Sequence, residues 1–295
     1  MDMILVTGAA GFLGGYVCRS LAARGHDVVA TDRSFAVRLP CLTEQGDLTD
    51  LGFLASLFRT CSFDAIVHLA SLRNAASQQR PDEALRVNIG GSLGLLQLAR
   101  QSGVPKFIFG SSISAYGPKP YSRYGQVSES EPASPDNVYG VSKRYIEVVG
   151  KQYRKQSDFQ FVALRIAMAV GAGVMSTASA WRGEIFEKLR APQHTSIHLP
   201  YAGGDFLPLV HAVDVAEMIR RLVETERTAH TIYNTPCENW QCSMLAETIA
   251  SLNPNVELVM EAAATRGDPE AINGQRFVEE FGYQPTLIGN RLRSQ

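Results

Sequence analysis

Short apolar runs alternate with glycine-containing turns and helical patterns along the first part of the chain. Residues 4–6 predict a buried strand that enters a glycine-rich turn, after which apolar residues recur at helical spacing as far as Leu21. This helix is expected to end near Gly25, and residues 28–30 predict a second buried strand. Strand, turn, helix and strand in about thirty residues form a βαβ unit, which favours a parallel sheet.

Further strands are predicted along the chain by apolar runs at residues 66–70, 106–109 and 159–166. Helical spacing returns at residues 181–189, after a stretch that is more polar and irregular. The patterns predict an α/β fold, a Rossmann-type doubly wound parallel sheet with a smaller C-terminal domain. The change in composition predicts a boundary near residue 167.

Composition and charge exclude several classes of protein. The 295 residues carry 28 Lys+Arg and 29 Asp+Glu, so there is no basic surplus of the kind that nucleic-acid binding needs. The start of the chain has no signal-peptide pattern, and no apolar run approaches the ~18 residues of a membrane span. The five cysteines are scattered and are expected to be reduced thiols. A cytoplasmic protein with no nucleic-acid or membrane partner is expected.

The first turn has the glycine spacing of a dinucleotide-binding loop. Gly8 permits the tight turn, Gly11 lets the backbone approach a pyrophosphate, and Gly14 lets the helix pack closely on the sheet. The phosphates are then expected to bind N–H groups at the helix N-terminus, where Phe12 and Leu13 lie.

An acidic residue ends the second predicted strand. Asp32 lies eighteen residues after Gly14, where a carboxylate accepts hydrogen bonds from the adenosine ribose and repels a 2′-phosphate. The position predicts NAD rather than NADP as cofactor, and Arg33 beside it weakens that preference.

A Tyr-x-x-x-Lys pair follows a serine-rich strand end. The spacing of Tyr139 and Lys143 places both side chains on one helix face, one turn apart. The ammonium is expected to lower the pKa of the phenol and to hold the nicotinamide ribose, so that Tyr139 accepts a proton from a substrate hydroxyl. About 25 residues upstream, residues 110–117 supply serines for the same site.

These motifs resemble the extended branch of the short-chain dehydrogenase/reductase superfamily, the NAD-dependent epimerase/dehydratase family. The resemblance assigns Ser112 as the catalytic hydroxyl, with Ser111 as the alternative, and places Ser71 and Ser114 in the substrate pocket. It also implies cofactor contacts from several segments that match the family in order. These are Asp47, Leu48, Leu69, Ala70, Ser71, Arg73 and Asn88, besides Tyr139 and Lys143.

The family's organisation implies interleaved domains. Residues 1–166 are expected to form the NAD-binding Rossmann domain, with returning segments near 207–234, and residues 167–295 to form mainly the substrate-binding domain. Helices at residues 88–98 and 139–149 pair into a dimer interface in this superfamily, so a homodimer is expected.

The substrate half departs from the nucleotide-sugar epimerases. Met168 stands where these enzymes carry an Asn, and Leu207 where they carry an Arg that holds the diphosphate. Arg266 matches a late Arg-x-Gly-Asp element, and Arg182 is a further candidate contact, although a solvated helix position is the favoured interpretation of it. Ile113 and Ser114 replace the Asp-Glu pair of the 4,6-dehydratases, which disfavours that reaction.

Three functions stay open on this basis. The favoured hypothesis is an epimerase that acts on a sugar or nucleotide-sugar. The alternative is a dehydrogenase of a free sugar or sugar acid, and the third hypothesis is a non-catalytic NAD sensor. No metal site is expected, because His194 and His198 have no third ligand in the sequence. His68 lies in an apolar strand and is expected to be a hydrogen-bonded core residue.

Overall fold

Strands and helices alternate along the chain, which the computed structural model describes at residues 2–119, 125–173, 179–262 and 268–294. The strands are β1 (Met3–Thr7), β2 (Asp27–Asp32), β3 (Leu42–Gln45), β4 (Ala65–His68), β5 (Lys106–Ser112), β6 (Gln160–Ile166), β7 (Met168–Val170), β8 (Thr195–Leu199), β9 (Phe206–His211), β10 (Ile232–Asn234), β11 (Glu238–Gln241) and β12 (Val256–Met260). The helices are α1 (Phe12–Ala23), α2 (Leu51–Thr60), α3 (Asn74–Gln79), α4 (Pro81–Ala84), α5 (Ser92–Gln101), α6 (Val138–Gln156), α7 (Trp181–Glu187), α8 (Ala212–Glu224), α9 (Cys242–Leu252), α10 (Gln275–Phe281) and α11 (Ile288–Arg293). A π-helical segment, Leu85–Gly91, joins α4 to α5, and a 3₁₀ turn, Ile113–Tyr116, follows β5.

The main sheet confirms the predicted fold class. Its strand order is β10-β6-β5-β4-β1-β2-β3, and every pairing in it is parallel. The chain therefore builds outward from β1 to one edge and then crosses to β4 on the other side of β1. In such sheets, ligands bind beyond the carboxyl ends of the strands at this reversal.

Helices cover both faces of this sheet, because alternate residues of its strands point to opposite sides. Ile4 and Val6 of β1 belong to a core cluster shared with α1 and α8. Leu5, between them, belongs to a second cluster with α2 and α5 on the other face.

Two small sheets accompany the main one. β11, β9 and β7 form a three-stranded sheet, and β8 pairs with β12 in parallel. Their side chains, together with those of α7 and α9, form a third core cluster. β10 returns to pair with β6 in the main sheet, as expected for residues 231–234. The domain boundary near residue 167 stays a prediction. None of the helices in the described ranges is both long enough and apolar enough to span a membrane.

A buried ion pair joins α6 to the main sheet. Glu147 of α6 accepts from Arg165 of β6 at two points, with Oε1 at 2.8 Å from Nε and Oε2 at 2.6 Å from Nη2. Both side chains are at most 2% exposed. The Ser111 hydroxyl of β5 donates to Glu147 Oε1 at 2.7 Å, and the guanidinium lies over the Tyr116 ring. The carboxylate is therefore bonded to two neighbouring strands.

Replacing this carboxylate is expected to destabilise the fold strongly. Glu147→Gln leaves the Arg165 charge buried without its counter-ion, at a cost of about 3–5 kcal/mol in the free energy of unfolding. Urea denaturation followed by circular dichroism measures it. The control, Glu184→Gln, breaks a half-exposed pair with Lys188 and is expected to cost less than about 1 kcal/mol. Equal losses in the two variants contradict the importance of the buried pair.

Candidate active site

The turn between β1 and α1 requires glycine at two positions. Gly8 has a φ of +71°, and a Cβ there would lie 2.5 Å from the Ala70 backbone nitrogen. At Gly14 a Cβ would lie 2.1 Å from the Gly8 carbonyl oxygen, so the helix sits directly on the turn. Gly11, between them, has only this same oxygen near its Cβ position, at 3.1 Å. The backbone of the turn is therefore open to a ligand.

The N-terminus of α1 fits a phosphate group. Gly11, the N-cap residue of α1, makes no side-chain capping bond, and the first-turn N–H groups of Phe12 and Leu13 have no partner within the helix. The Asp32 carboxylate lies beside the turn, accepting from the Ala10 N–H at 3.0 Å and the Arg33 N–H at 2.7 Å. A pyrophosphate on the helix and a ribose on the carboxylate are the contacts that this arrangement fits.

The far end of this groove carries Asp47 and Arg33. Asp47 accepts from the Thr49 N–H and hydroxyl, both at 2.8 Å, and these bonds hold the pKa of its carboxyl below the usual range. The positive charge of Arg33 lowers this pKa further, so the two side chains face each other. The Leu48 side chain is buried in the second core cluster, which leaves its backbone for any ligand contact.

The loop after β4 is held by Asn88 of the π-helical segment. Its carboxamide accepts from the Leu72 N–H at 2.7 Å and donates to the Leu72 carbonyl at 3.0 Å, with the side chain buried. At the other end, the Leu69 N–H donates to the Thr7 carbonyl at 3.1 Å. Leu69, Ala70 and Ser71 thus line the groove edge, while Asn88 supports them. The side chain of Asn88 is directed at Leu72, which differs from the expected direct contact with the cofactor.

His68 is a core residue, as predicted. Its Nδ1 lies 2.6 Å from the Thr7 hydroxyl and its Nε2 lies 2.8 Å from the Ser92 hydroxyl. Burial lowers the pKa of His68 to about 3, so the ring is neutral.

Tyr139, Lys143 and Ser112 come together at the carboxyl end of β5. The Asn137 side chain caps α6 by accepting from the Gly140 N–H at 2.8 Å, which places Tyr139 in the first turn. The Lys143 ammonium donates to the Gly110 carbonyl at 2.8 Å and lies 5.4 Å from the centre of the Tyr139 ring.

The structure also distinguishes the two candidate serines. The Ser111 hydroxyl donates to Glu147 on the buried side of β5. The Ser112 hydroxyl interacts with the Tyr139 phenol.

Lys143 is poised between its two protonation states. Burial lowers its pKa to about 7, and the charge of Glu147, one turn later on α6, opposes this shift. Near neutral pH the side chain therefore gains or loses its charge readily.

The pKa of Tyr139 is raised above its ordinary value. Burial is the largest cause and the charge of Asp268 adds to it, while the hydroxyls of Ser71 and Ser112 and the charge of Arg73 oppose it. The pKa of Tyr139 is therefore raised overall and not lowered as expected, because desolvation of the phenol outweighs the interactions that favour its charged form.

The substrate side contains one position where the expectation fails. Met168 is 5% exposed and lies with Leu207 in the third core cluster. Only the Tyr201 hydroxyl touches its sulfur, at 4.0 Å, among the polar contacts of the described residues. Met168 is thus packed in this cluster, with its sulfur against the Tyr201 hydroxyl. Trp181 is also buried there, edge-on to Tyr201.

Two guanidinium groups interact electrostatically with residues of this region. The charges of Arg73 and Arg182 act on one another, Arg73 acts on Tyr139, and Arg182 acts on Asp268 and Tyr201. Neither has an ion-pair partner closer than 4.0 Å in the described parts of the chain, and the Arg182 Nε is buried without a hydrogen bond there. Arg182 therefore belongs to the site, contrary to the favoured interpretation of a solvated helix residue. Arg266 lies outside the described residues.

Sequence reasoning missed two residues of this region. Asp268 belongs to the Arg-x-Gly-Asp element, but nothing in the sequence indicates its hydrogen bond with Ser114, whose hydroxyl donates to it at 2.5 Å. Tyr201 lies in no motif, and only the folded chain brings it to Arg182.

A family model and curated relatives match this chain. The family model described as the NAD dependent epimerase/dehydratase family matches residues 4–235. A UDP-glucose 4-epimerase from Erwinia amylovora is 37% identical over 186 residues, covering 57% of this chain and 54% of that protein. UDP-glucose 4-epimerase 2 from Oryza sativa subsp. japonica is 31% identical over 266 residues, covering 78% of this chain and 64% of that protein. The chain thus matches about half of the length of the first of these relatives.

Solved structures agree in fold over nearly the whole chain. A GalE-like L-threonine dehydrogenase from Cupriavidus necator superposes with a TM-score of 0.89 at 21% identity, covering 99% of both chains. The UDP-glucose 4-epimerase of Thermus thermophilus, solved with NAD, gives a TM-score of 0.83 at 23% identity, covering 99% of this chain and 96% of that one. Identities this low show a common fold. With the family model matching most of its length, the chain belongs to the NAD dependent epimerase/dehydratase family.

Proposed function

We propose that this protein is a dehydrogenase that oxidises a secondary hydroxyl of a small, negatively charged sugar derivative, such as a sugar acid, with NAD. The observation that carries the proposal is the group of side chains around one phenol. Tyr139 lies beside the Ser112 hydroxyl, the charge of Arg73 acts on the phenol and that of Arg182 on Arg73, and neither guanidinium group has an ion-pair partner among the described residues.

NAD is the cofactor we propose, and the groove fits it. The glycine turn and the N-terminus of α1 suit the pyrophosphate, and Asp32 suits the adenosine ribose while disfavouring a 2′-phosphate. Arg33 faces Asp47, so its charge is partly compensated. When bound, NAD supplies a nicotinamide C4 that accepts a hydride.

The side chains of the site have different roles in the reaction of the substrate. Tyr139 takes the proton of the reacting hydroxyl, and Ser112 hydrogen-bonds the same oxygen. Because burial raises the pKa of the phenol, its charged form needs a positive neighbour. The Lys143 ammonium on the same helix face supplies this charge, and Glu147 favours its protonated state.

The size of the substrate is inferred from two core positions. Nucleotide-sugar epimerases use the positions of Met168 and Leu207 to hold a diphosphate, and both side chains here are buried in the third core cluster. Neither apolar side chain can donate to a diphosphate, so two of the contacts that compensate its charge in those enzymes are missing, which disfavours a nucleotide-bearing substrate. A carboxylate between Arg73 and Arg182 instead gives both guanidinium groups a partner.

A UDP-sugar 4-epimerase is the second candidate. The curated relatives from Erwinia amylovora and Oryza sativa subsp. japonica carry that name, and the same Tyr139, Ser112 and Lys143 serve it. The candidates differ in outcome, since an epimerase returns the hydride to its substrate and a dehydrogenase releases an oxidised product.

We also propose that the protein works as a homodimer. Leu85 of the π-helical segment and Val141 and Val148 of α6 expose large apolar side chains, at 57%, 48% and 51%. The two elements pack against each other and border one apolar groove. A second copy of the same face covers these side chains symmetrically, as expected for a C₂ interface.

The cytoplasm is the compartment we propose. All five cysteines are free thiols in the structure, and reducing compartments keep thiols in that state. Detection of the native protein by cell fractionation tests this assignment.

Removing the phenol hydroxyl is expected to abolish most turnover. Tyr139→Phe keeps the ring but loses the proton acceptor, so turnover falls about 10²–10⁴-fold while NAD affinity stays within about twofold. Steady-state kinetics and calorimetric titration with NAD measure the two effects. The control, Tyr153→Phe at the far end of the same helix, is expected to retain full turnover. Unchanged turnover in Tyr139→Phe refutes the assignment.

A substrate panel separates the two candidate reactions. We expect net NADH formation, followed by absorbance, with free uronic and aldonic acids and little with neutral aldoses or UDP-sugars. Arg182→Met is expected to raise KM for the acids about 10–100-fold, because it removes a charged hydrogen-bond donor. Arg190→Met, at an exposed position just after α7, is the control. Interconversion of UDP-sugars without NADH release supports the epimerase instead.

The proposed interface is tested by charge insertion. Val141→Glu places a carboxylate on the shared apolar face, where burial without a partner is costly, and is expected to convert a dimer to a monomer in sedimentation velocity. Val213→Glu, at an equally exposed apolar position on α8, is expected to leave the dimer intact. A wild-type monomer at micromolar concentration overturns the interface.

A further inference from the structure

A chain of hydroxyl groups runs from the Tyr139 phenol to a carboxylate. The phenol interacts with the Ser112 hydroxyl, which donates to the Ser114 hydroxyl at 3.1 Å. The Ser114 hydroxyl donates in turn to Asp268 Oδ1 at 2.5 Å. The Ser114 N–H also donates to Ser112 Oγ at 3.1 Å, which fixes the position of this oxygen at the start of the 3₁₀ turn. Hydrogen bonds therefore link the hydroxyls of Ser112 and Ser114 to the carboxylate, and the phenol interacts with the first of these hydroxyls.

The charge of the carboxylate dictates the direction of these bonds. An ionised Asp268 can only accept, so the single proton of Ser114 must point to it. Ser114 must then accept from Ser112, and Ser112 presents only lone pairs to Tyr139. If Asp268 is protonated, the whole chain can reverse, and the Ser112 proton becomes available to an oxygen in the site.

We propose that the ionisation state of Asp268 sets the direction of the Ser112 and Ser114 hydroxyls, and that its carboxylate accepts the proton which Tyr139 takes from the substrate. Asp268 is a positioning residue in this scheme, since it acts through the two serines. The inference rests on the proposed function. It adds a path for the proton that an oxidation releases and an epimerisation does not.

The proton balance of this step is complete. The alcohol loses a hydride, with both electrons of its C–H bond, to the NAD of the proposed reaction, and it loses its hydroxyl proton to Tyr139. The Tyr139 proton moves to Ser112 as the Ser112 proton moves to Ser114 and the Ser114 proton moves to Asp268. Asp268, now a neutral acid, releases one proton to water. The phenolate and both serine hydroxyls are thereby restored.

The surroundings of Asp268 suit a group that changes its charge. Burial raises the pKa of its carboxyl, the hydrogen bond from Ser114 and the charge of Arg182 lower it, and the charge of Asp136 raises it. On the other side, the phenols of Tyr139 and Tyr201 face the carboxylate, and its charge raises the pKa of both. Charged and polar groups on several sides of this carboxyl therefore act on its ionisation.

The test is a titration of Tyr139 in the protein without ligand. Phenolate formation is followed by ultraviolet absorbance, and the curve of the matching Tyr139→Phe variant is subtracted to isolate this residue. Asp268→Asn is expected to move the Tyr139 midpoint to lower pH, because the negative charge is lost and Ser112 can donate to the phenolate. In a Ser114→Ala background the same substitution is expected to produce a clearly smaller shift, since the chain is already broken.

A matched control separates the chain from plain electrostatics. Arg73→Met removes a charge that acts on Tyr139 from outside the chain, so its effect on the midpoint is expected to be the same with and without Ser114. An equal shift by Asp268→Asn in both backgrounds overturns the proposal, because charge acting through space needs no serine. If Asp268→Asn does not fold, Ser114→Ala alone must still lower the midpoint, and an unchanged midpoint overturns the proposal.

Turnover distinguishes the failure of this inference from that of the proposed function. With any acid that the panel shows to be oxidised, Asp268→Asn is expected to lose about tenfold in kcat and to lose the acidic limb of the pH profile. An acidic limb retained in Asp268→Asn overturns the role of this residue while oxidation itself stands. Absence of oxidation throughout the panel refutes the proposed function, and the titration still decides whether the chain couples Asp268 to Tyr139.

Discussion

The two-point contact between Glu147 and Arg165 joins α6 to the main sheet at the end where the whole candidate site lies. Neither charge reaches water, so the Arg165 guanidinium is tolerable only while Glu147 is held in place. The same carboxylate accepts from Ser111, and this bond turns the next residue of β5, Ser112, toward Tyr139. The positions of the phenol, the ammonium and the serine relative to one another therefore depend on an interaction that touches none of them.

The cofactor side of the site could be predicted from the sequence because its requirements are local. Gly8 and Gly14 are needed for backbone geometry within one turn, and the spacing of Tyr139 and Lys143 fixes a shared helix face before any packing is known. The pKa values of the catalytic side chains could not be predicted from the sequence in the same way. The raised pKa of Tyr139 and the lowered pKa of Lys143 come mainly from burial, which is a property of the assembled fold.

The substrate side depends on contacts between residues far apart in sequence. Ser114 and Asp268 are 154 positions apart, and no periodicity relates them. Arg182 was harder to assign for a related reason, since its helix has both a buried and an accessible side and the sequence does not say which element it faces. The folded chain brings it to Asp268 and Tyr201. Asn88 shows the reverse case, where a residue that matched a family motif supports a loop by bonding to Leu72.

The burial of Met168 and Leu207 also bears on how such a chain can evolve. β7 carries Met168 and β9 carries Leu207 into the third core cluster, where they pack with Trp181 and the strands of the small sheets. An Asn or Arg at either position would be a polar group in an apolar interior, at a cost of several kcal/mol unless a ligand is present to compensate it. Each single substitution toward nucleotide binding is therefore expected to lower the stability of the fold before it improves the binding of a nucleotide. Apolar side chains at these two positions are therefore expected to be retained once they are packed.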